Sequence, residues 1–126
     1  MEFYADEIEN DVMILVADGG LNSDTAEQFV AELERLIDAG LTKLIVDCSK
    51  LQHISSYGLG VLIRLHRRLK GRGGDVKLCA VRGIVPQVLR ATRLDNVLEF
   101  YPDVNRARLA FRPRSGSLGS ESPGVE

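Results

Sequence analysis

The sequence predicts an α/β fold in which a mixed β-sheet of about five strands packs against about four helices. Short apolar runs of the kind that form buried strands recur at residues 12–16, 43–47 and 76–81. Between these runs, apolar residues recur at helical spacing, over residues 26–37 and 59–69. The 126 residues match the size of one domain, and the 44% of apolar residues suffice for one core.

The chain begins with a predicted β-hairpin at one edge of the sheet. Residues 3–8 form a weak first strand, residues 9–11 a turn, and residues 12–16 a buried strand. We expect the segment Asp18-Gly19-Gly20 to break this second strand, because glycines interrupt regular structure.

The first helix follows, because Asn22, Ser23 and Asp24 each carry a side chain that can cap a helix N-terminus. Asp24 is followed three residues later by Glu27, which approaches the pattern of a capping box. One face of the predicted helix comprises Ala26, Phe29, Val30, Leu33, Leu36 and Ile37. Gly40 is placed to end the helix.

Residues 43–47 contain three consecutive apolar residues, which suit a central strand covered on both faces. A predicted loop over residues 48–55 leads to the second helix, which the glycines of residues 71–74 end. The apolar stripe of this helix comprises Leu59, Leu62, Leu65 and Leu69. Its outer face is basic towards the C-terminal end and comprises Arg64, His66, Arg67, Arg68 and Lys70. This face is either a solvated helix surface or a patch that binds RNA or a partner protein.

The last third of the domain continues the alternation of strands and helices. Residues 76–81 predict a third core strand, and Pro86 suits the first turn of a third helix. Residues 97–101 predict a last strand, and residues 102–103 start a final short helix. Core candidates in these helices are Val88, Leu89, Leu94, Val104, Ala107, Leu109 and Phe111.

Composition and charge narrow the class of protein. The formal net charge of −2 gives no electrostatic case for direct binding to nucleic acid or to an anionic membrane. No apolar run has the length of a membrane helix, and the first residues lack the features of a signal peptide, so a cytoplasmic location is expected. Cys48 and Cys79 are expected to be buried, reduced thiols. We expect one domain over residues 1–111 and a disordered Gly/Ser/Pro-rich tail over residues 112–126.

The chain is organised around residues 53–60, which lead into the second helix. Ser55 and Ser56 lie where a helix needs an N-cap, and the free N–H groups of a first turn favour an added anion. Gly58 and Gly60 leave the start of this helix poorly covered by side chains. The sequence therefore predicts that another molecule can approach the backbone closely here.

No catalytic site, metal site or cofactor is predicted. Ser56 lies near His53, but the G-x-S-x-G elbow is absent and a small hydrolase would need a base that the sequence does not offer. The dispersed cysteines and histidines make no metal-ligand pattern, and residues 58–60 lack the third glycine of a dinucleotide fingerprint. Tyr57 either covers the edge of the core with its hydroxyl in water or contacts a partner. His53 is expected to satisfy hydrogen bonds of the loop.

Residues 45–47, 54–62 and 73–79 together resemble a STAS domain, and more narrowly the stand-alone bacterial anti-sigma factor antagonists. Residues 19–26 fit the loop that precedes the first helix of that family. The similarity covers residues 3–111, and the expected order of strands and helices matches the family fold.

The resemblance implies both a function and a site. Family members of this type bind an anti-sigma factor, a serine kinase of the ATPase-fold class, and thereby free a sigma factor. The kinase phosphorylates the serine two residues before the glycine, which is Ser56 here, and a metal-dependent phosphatase removes the phosphate. The partner-binding residues that the resemblance implies are Asn22, Ser55, Ser56, Tyr57, Gly58 and Leu59.

Two residues depart from the best-known members of the family. Ser55 stands where those members have aspartate before the acceptor, and Asn22 stands where they often have aspartate. The surface around the acceptor serine is therefore less acidic, which could change which kinase recognises it. Ser55 also adds a second hydroxyl, although the spacing to Gly58 favours Ser56 as the phosphorylated residue. The alternative function is a STAS scaffold without a phosphoswitch, such as a soluble subunit of a lipid transporter or of a stressosome-like assembly.

Overall fold

A computed structural model of the protein describes residues 2–9 and 11–111, which form one sheet with helices on both of its faces. The strands are β1 (Glu2–Glu9), β2 (Val12–Leu21), β3 (Lys43–Ile54), β4 (Asp75–Cys79) and β5 (Glu99–Tyr101). The helices are α1 (Ser23–Asp38), α2 (Ser56–Gly71), α3 (Val85–Ala91) and α4 (Val104–Ala110), with a 3-10 turn at Leu94–Asn96. The predicted α/β class, a mixed sheet of five strands with four helices, is confirmed over these residues.

The five strands lie in the order β1-β2-β3-β4-β5. β1 pairs with β2 in an antiparallel manner, which confirms the predicted hairpin, and the pairs β2–β3, β3–β4 and β4–β5 are parallel. A helix connects each pair of neighbouring parallel strands, so the carboxyl ends of β2, β3 and β4 meet at one edge of the sheet. The starts of α1 and α2 lie at this edge.

The main core lies between one face of the sheet and helices α1 and α2. Its fully buried side chains include Phe29, Leu33 and Ile37 of α1 and Leu62, Leu65 and Leu69 of α2. On the opposite face, α4 covers a smaller cluster that contains Ile14, Ile45 and Ala107. Leu44 and Val46 belong to the main core, while Ile45 belongs to the smaller one, so the prediction of a central strand covered on both faces is confirmed.

Strands β2 and β3 are longer than the sequence predicts. Residues 18–21 continue β2, and residues 48–54 are strand, not loop, because the two segments pair with each other through Gly19 with Leu51, Gly20 with His53 and Leu21 with Ile54. The pairing satisfies backbone groups that a loop would leave to water. The predictions of a break at residues 18–20 and of a loop over residues 48–55 are therefore wrong.

Smaller corrections concern the ends of elements. The N-cap of α1 is Asn22, which forms a capping box with Thr25 in place of the expected Asp24 and Glu27. The last strand is shorter than predicted, because the 3-10 turn precedes it and Val97 is exposed. Leu109 does not pack inward: it is 55% exposed, and Ala107 provides the buried contact of α4. Gly40, with φ of 117°, follows the end of α1 as predicted.

The two cysteines are buried free thiols on neighbouring strands. Cys48 faces the main core, whereas Cys79 faces the cluster under α4. Burial raises the pKa of the Cys79 thiol to about 12 and raises the pKa of Cys48 further, so both thiols are protonated at neutral pH. The predicted tail, residues 112–126, lies outside the described residues. Among residues 2–9 and 11–111, no helix combines the length and apolar character that crossing a bilayer requires.

Candidate functional site at the start of helix α2

The N-terminus of α2 is capped by Ser55. Its backbone is extended, with φ of −90° and ψ of 170°, and its Oγ accepts a hydrogen bond of 3.1 Å from the N–H of Gly58. Serine satisfies this first-turn donor as well as aspartate does at an N-cap, but without a negative charge. The N–H of Ser55 donates to the carbonyl oxygen of Leu21 at 2.9 Å, which ties the start of α2 to the end of β2.

Ser56 is the first residue of α2 and is exposed. Its hydroxyl forms no hydrogen bond with any residue that the structure describes, and the backbone N–H groups of Ser56 and Tyr57 likewise donate to none of them. The first turn of α2 contains no acidic residue. An anion added at Ser56 would therefore meet unpaired donors and the positive end of the helix dipole.

Tyr57 lies on the surface beside Ser56, with 39% of the residue exposed. Its hydroxyl donates to the carboxylate of Glu27, which joins the start of α2 to α1 across 30 residues of sequence. The first interpretation placed this hydroxyl in water, whereas the structure gives it Glu27 as a partner, and the contact of Tyr57 with a partner protein stays a prediction. No pattern in the sequence indicates Glu27 as a neighbour of Tyr57, because the contact depends on how the two helices pack.

Gly58 and Leu59 lie beneath this surface and are buried. A Cβ atom at Gly58 would lie 2.5 Å from the carbonyl oxygen of Leu21, so only glycine allows α2 to approach the end of β2 this closely. Leu59 is 5% exposed and belongs to the main core. Both residues therefore support the position of Ser56, and neither presents a side chain at the surface.

Asn22 lies at the end of β2, where its neighbour Leu21 pairs with Ile54 of β3. Its Oδ1 accepts from the N–H groups of Asp24 at 2.9 Å and Thr25 at 3.2 Å, so the side chain caps α1. Thr25 completes the box, because its Oγ1 accepts from the N–H of Asn22 at 3.0 Å and donates to the carbonyl of Gly20 at 2.8 Å. Both helix starts are thus capped by uncharged side chains at neighbouring strand ends.

The structure gives Ser56 no catalytic partner among the described residues. His53 lies in β3, not in a loop, and its exposed ring covers Gly20, where a Cβ atom would lie 2.0 Å from the imidazole. The Ser56 hydroxyl accepts no hydrogen bond from it. Within residues 2–9 and 11–111, no group of three His, Cys, Asp or Glu side chains is arranged to hold a metal ion.

The buried charges of the domain lie at the start of β4, away from the carboxyl edge of the sheet. The Lys77 ammonium contacts Glu99 at 2.6 Å and Asp75 at 3.2 Å, and it lies 4.6 Å from the centre of the Phe111 ring. Partial burial alone would raise the pKa of Glu99, but hydrogen bonds from Lys77 and Tyr101 outweigh it and lower that pKa. This network joins β4, β5 and Phe111 at the end of α4.

The chain is similar to known proteins in both sequence and fold. The family model for the STAS domain matches residues 4–107. BtrV of Bordetella bronchiseptica, assigned as an anti-sigma factor antagonist, is 30% identical over 110 residues, which are 87% of this chain and 91% of that protein. The crystal structure of a Thermotoga maritima protein with the same assignment has a TM-score of 0.81 at 27% identity, and covers 85% of this chain and 92% of its own. Bacillus SpoIIAA in its phosphorylated form has a TM-score of 0.69 at 20% identity, over 88% of this chain and 100% of its own, and shares the fold.

Proposed function

Because the chain belongs to the STAS domain family, among its anti-sigma factor antagonists, we propose that it binds an anti-sigma factor serine kinase and thereby releases a sigma factor. In this proposal, phosphorylation of Ser56 ends the binding and a metal-dependent serine phosphatase restores it. The observation that carries the proposal is the position of Ser56, whose exposed, unbonded hydroxyl stands at the first residue of α2. The chain acts as a regulated binding partner in the cytoplasm and supplies no catalytic group.

Phosphorylation acts in this proposal by blocking a surface. It adds a charge of about −1.5 to −2 to the Ser56 side chain. The N-terminus of α2 favours an anion by about 0.3–1 kcal/mol, and its first turn carries no opposing carboxylate, so the fold persists. A partner packed on Ser56 would have to bury the dianion without a counter-charge, which costs several kcal/mol per ion. The fold is compatible with phosphate, since a Bacillus protein of the same fold has been solved in its phosphorylated form.

The phosphorylation site is tested with the full-length chain, Mg-ATP and the ATPase-fold serine kinase encoded nearest to its gene. Peptide mapping is expected to find phosphate on Ser56, to find none in Ser56→Ala, and to find the same site in Ser55→Ala. Phosphate on Ser55 or Tyr57 in place of Ser56 would contradict the site. If the kinase neither binds nor phosphorylates the chain, the result would favour the alternative function, a non-switching scaffold or transporter-associated subunit.

A further inference from the structure

The exposed side of α2 contains a glycine that the fold of the described residues does not require. Gly60 is exposed, and a Cβ atom there would meet no other atom within 4 Å. Gly58 differs, since its missing Cβ allows the contact with Leu21. Glycine destabilises a helix relative to alanine, so Gly60 weakens α2 without serving its packing. What Gly60 does provide is bare backbone on the surface, one helical turn beyond Ser56.

Gly60 lies on a stripe that runs from Ser56 along the outer side of α2. Ser56, Gly60, Arg64 and Arg67 are separated by four, four and three residues, which places them on one side of a helix. Gly60, Arg64 and Arg67 line a single shallow depression together with Ile63 and Arg68. We call the five residues Ser56, Gly60, Ile63, Arg64 and Arg67 the α2 stripe.

Arg64 and Arg67 carry the charge of the stripe. Both are exposed, and neither forms an ion pair or hydrogen bond with a residue that the structure describes. The neighbouring Arg68, by contrast, pairs with Asp38 at 3.0 Å and Glu34 at 3.5 Å. Asp38 and Glu34 of α1 thus pair with Arg68, and Glu27 of α1 accepts the hydrogen bond of the Tyr57 hydroxyl. The charges of Arg64 and Arg67 are left uncompensated by the residues that the structure describes.

Resting on the proposed function, we propose that the α2 stripe extends the partner-binding surface and receives an acidic segment of the partner protein. The segment packs closely against the backbone at Gly60, and its carboxylates pair with the guanidinium groups of Arg64 and Arg67. A protein partner suits the stripe better than nucleic acid, because the chain as a whole is negatively charged and the stripe offers only two uncompensated arginines.

The stripe also adds an electrostatic component to the switch. Ser56 is the N-terminal residue of the α2 stripe, so a phosphate there places a dianion next to the surface on which the acidic segment lies. Like charges brought together in an interface suppress association. Phosphorylation therefore both blocks the surface and repels the segment that binds beside it.

The test measures binding of the purified serine kinase that phosphorylates Ser56, without ATP, to full-length variants of the chain. The double variant Arg64→Glu/Arg67→Glu is expected to bind at least about 10-fold more weakly in about 50 mM NaCl, with a smaller loss in about 500 mM NaCl because salt screens charges. The control Arg90→Glu/Arg106→Glu makes the same charge change at exposed positions of α3 and α4 and is expected to bind like the wild type.

A second pair of variants tests the close approach at Gly60. Gly60→Trp is expected to bind at least about 10-fold more weakly at both salt concentrations, since a side chain there blocks the backbone sterically. The control Ala31→Trp places the same ring at an exposed position of α1 that faces the β1 side. Circular dichroism melts of all variants establish that each is folded, as open space around Gly60 predicts.

The outcomes separate this inference from the proposed function. If the two stripe variants bind like the wild type while Ser56 phosphorylation still weakens binding, the α2 stripe is not an interface and the proposed function stands. If phosphorylation leaves the affinity unchanged, the proposed function itself is contradicted. Binding of labelled duplex DNA and of single-stranded RNA is measured as well. If either binds the wild type but not Arg64→Glu/Arg67→Glu, the ligand of the α2 stripe is nucleic acid, and the inference of an acidic protein segment is overturned.

Discussion

At the scale of single residues, the two adjacent serines at the start of α2 have different roles. The Ser55 Oγ is engaged by the N–H of Gly58, while the Ser56 hydroxyl is exposed and unbonded to the described residues. The proposed kinase would therefore meet one accessible hydroxyl and one that is part of a helix cap. Asn22 and Ser55 stand where the family resemblance implies aspartates, and both accept backbone hydrogen bonds at helix starts, as an aspartate would.

Removing the two hydroxyls one at a time should affect folding unequally. Ser55→Ala loses the N-cap of α2 and should lower the free energy of unfolding by about 0.5–2 kcal/mol. Ser56→Ala should change it by less than about 0.5 kcal/mol, as expected for an exposed side chain without partners. Urea denaturation of both variants measures the difference, and Ser55→Asp should restore the stability. A larger loss for Ser56→Ala than for Ser55→Ala would show that the cap has been assigned to the wrong serine.

At the scale of elements, the sequence predicts the helices more accurately than the ends of the strands near the site. The apolar stripe of α2 repeats every three or four residues, and its leucines are buried as expected. The ends of β2 and β3 are rich in glycine and polar residues, so their local pattern indicates turns, and only pairing between distant segments makes them strands. The contact of Tyr57 with Glu27 likewise joins segments that are distant in the sequence, because it depends on helix packing, and no local pattern indicates it.

The packing of α2 predicts the cost of truncating its core leucines. Leu65 is 0% exposed, so Leu65→Ala should lower the free energy of unfolding by about 2–5 kcal/mol. Leu62→Ala should behave in the same way, since Leu62 is 2% exposed. The matched control is Leu109→Ala on α4, which removes the same atoms from a residue that is 55% exposed and should cost less than about 1 kcal/mol. Equal urea midpoints for Leu65→Ala and the wild type would contradict the orientation of α2.

The network between β4 and β5 predicts acid sensitivity. The pKa of Glu99 is lowered, because hydrogen bonds from Lys77 and Tyr101 outweigh the opposing effect of burial. A carboxyl whose pKa is lower in the folded state stabilises the fold above its unfolded pKa of about 4.3 and loses this contribution as the pH falls below that value. Glu99→Gln should therefore reduce the loss of stability between neutral pH and about pH 3, as measured by urea denaturation. An unchanged pH dependence in Glu99→Gln would contradict the pairing with Lys77.

At the scale of the whole molecule, residues 113–126 are predicted to be dispensable for folding. Glycine, serine and proline dominate this segment, which has little apolar surface to bury. Truncation after residue 112 keeps Phe111, whose ring lies beside Lys77. The melting temperature of the truncated chain should fall by less than about 5 °C, and a larger drop in a thermal melt would show that the tail packs on the domain.

The arrangement of the sheet predicts that the proposed phosphorylation of Ser56 requires no refolding. Parallel strands β2 and β3 end at the same edge, and the start of α2 is held there by the Ser55 bond to Leu21, the Gly58 contact and the Tyr57 bond to Glu27. Ser56 projects from this fixed framework without taking part in it. We therefore expect a phosphate on Ser56 to change the surface that the proposed partner meets, while the elements beneath keep their contacts.

The central claim is that phosphate on Ser56 ends partner binding by occupying this surface. Its most direct test is isothermal titration of the cognate serine kinase, without ATP, with full-length protein shown by intact-mass analysis to be unmodified or stoichiometrically phosphorylated on Ser56. Burial of an unpaired charge costs about 3–5 kcal/mol, so the phosphorylated protein should bind at least about 100-fold more weakly. Equal affinities of the two forms would contradict the account.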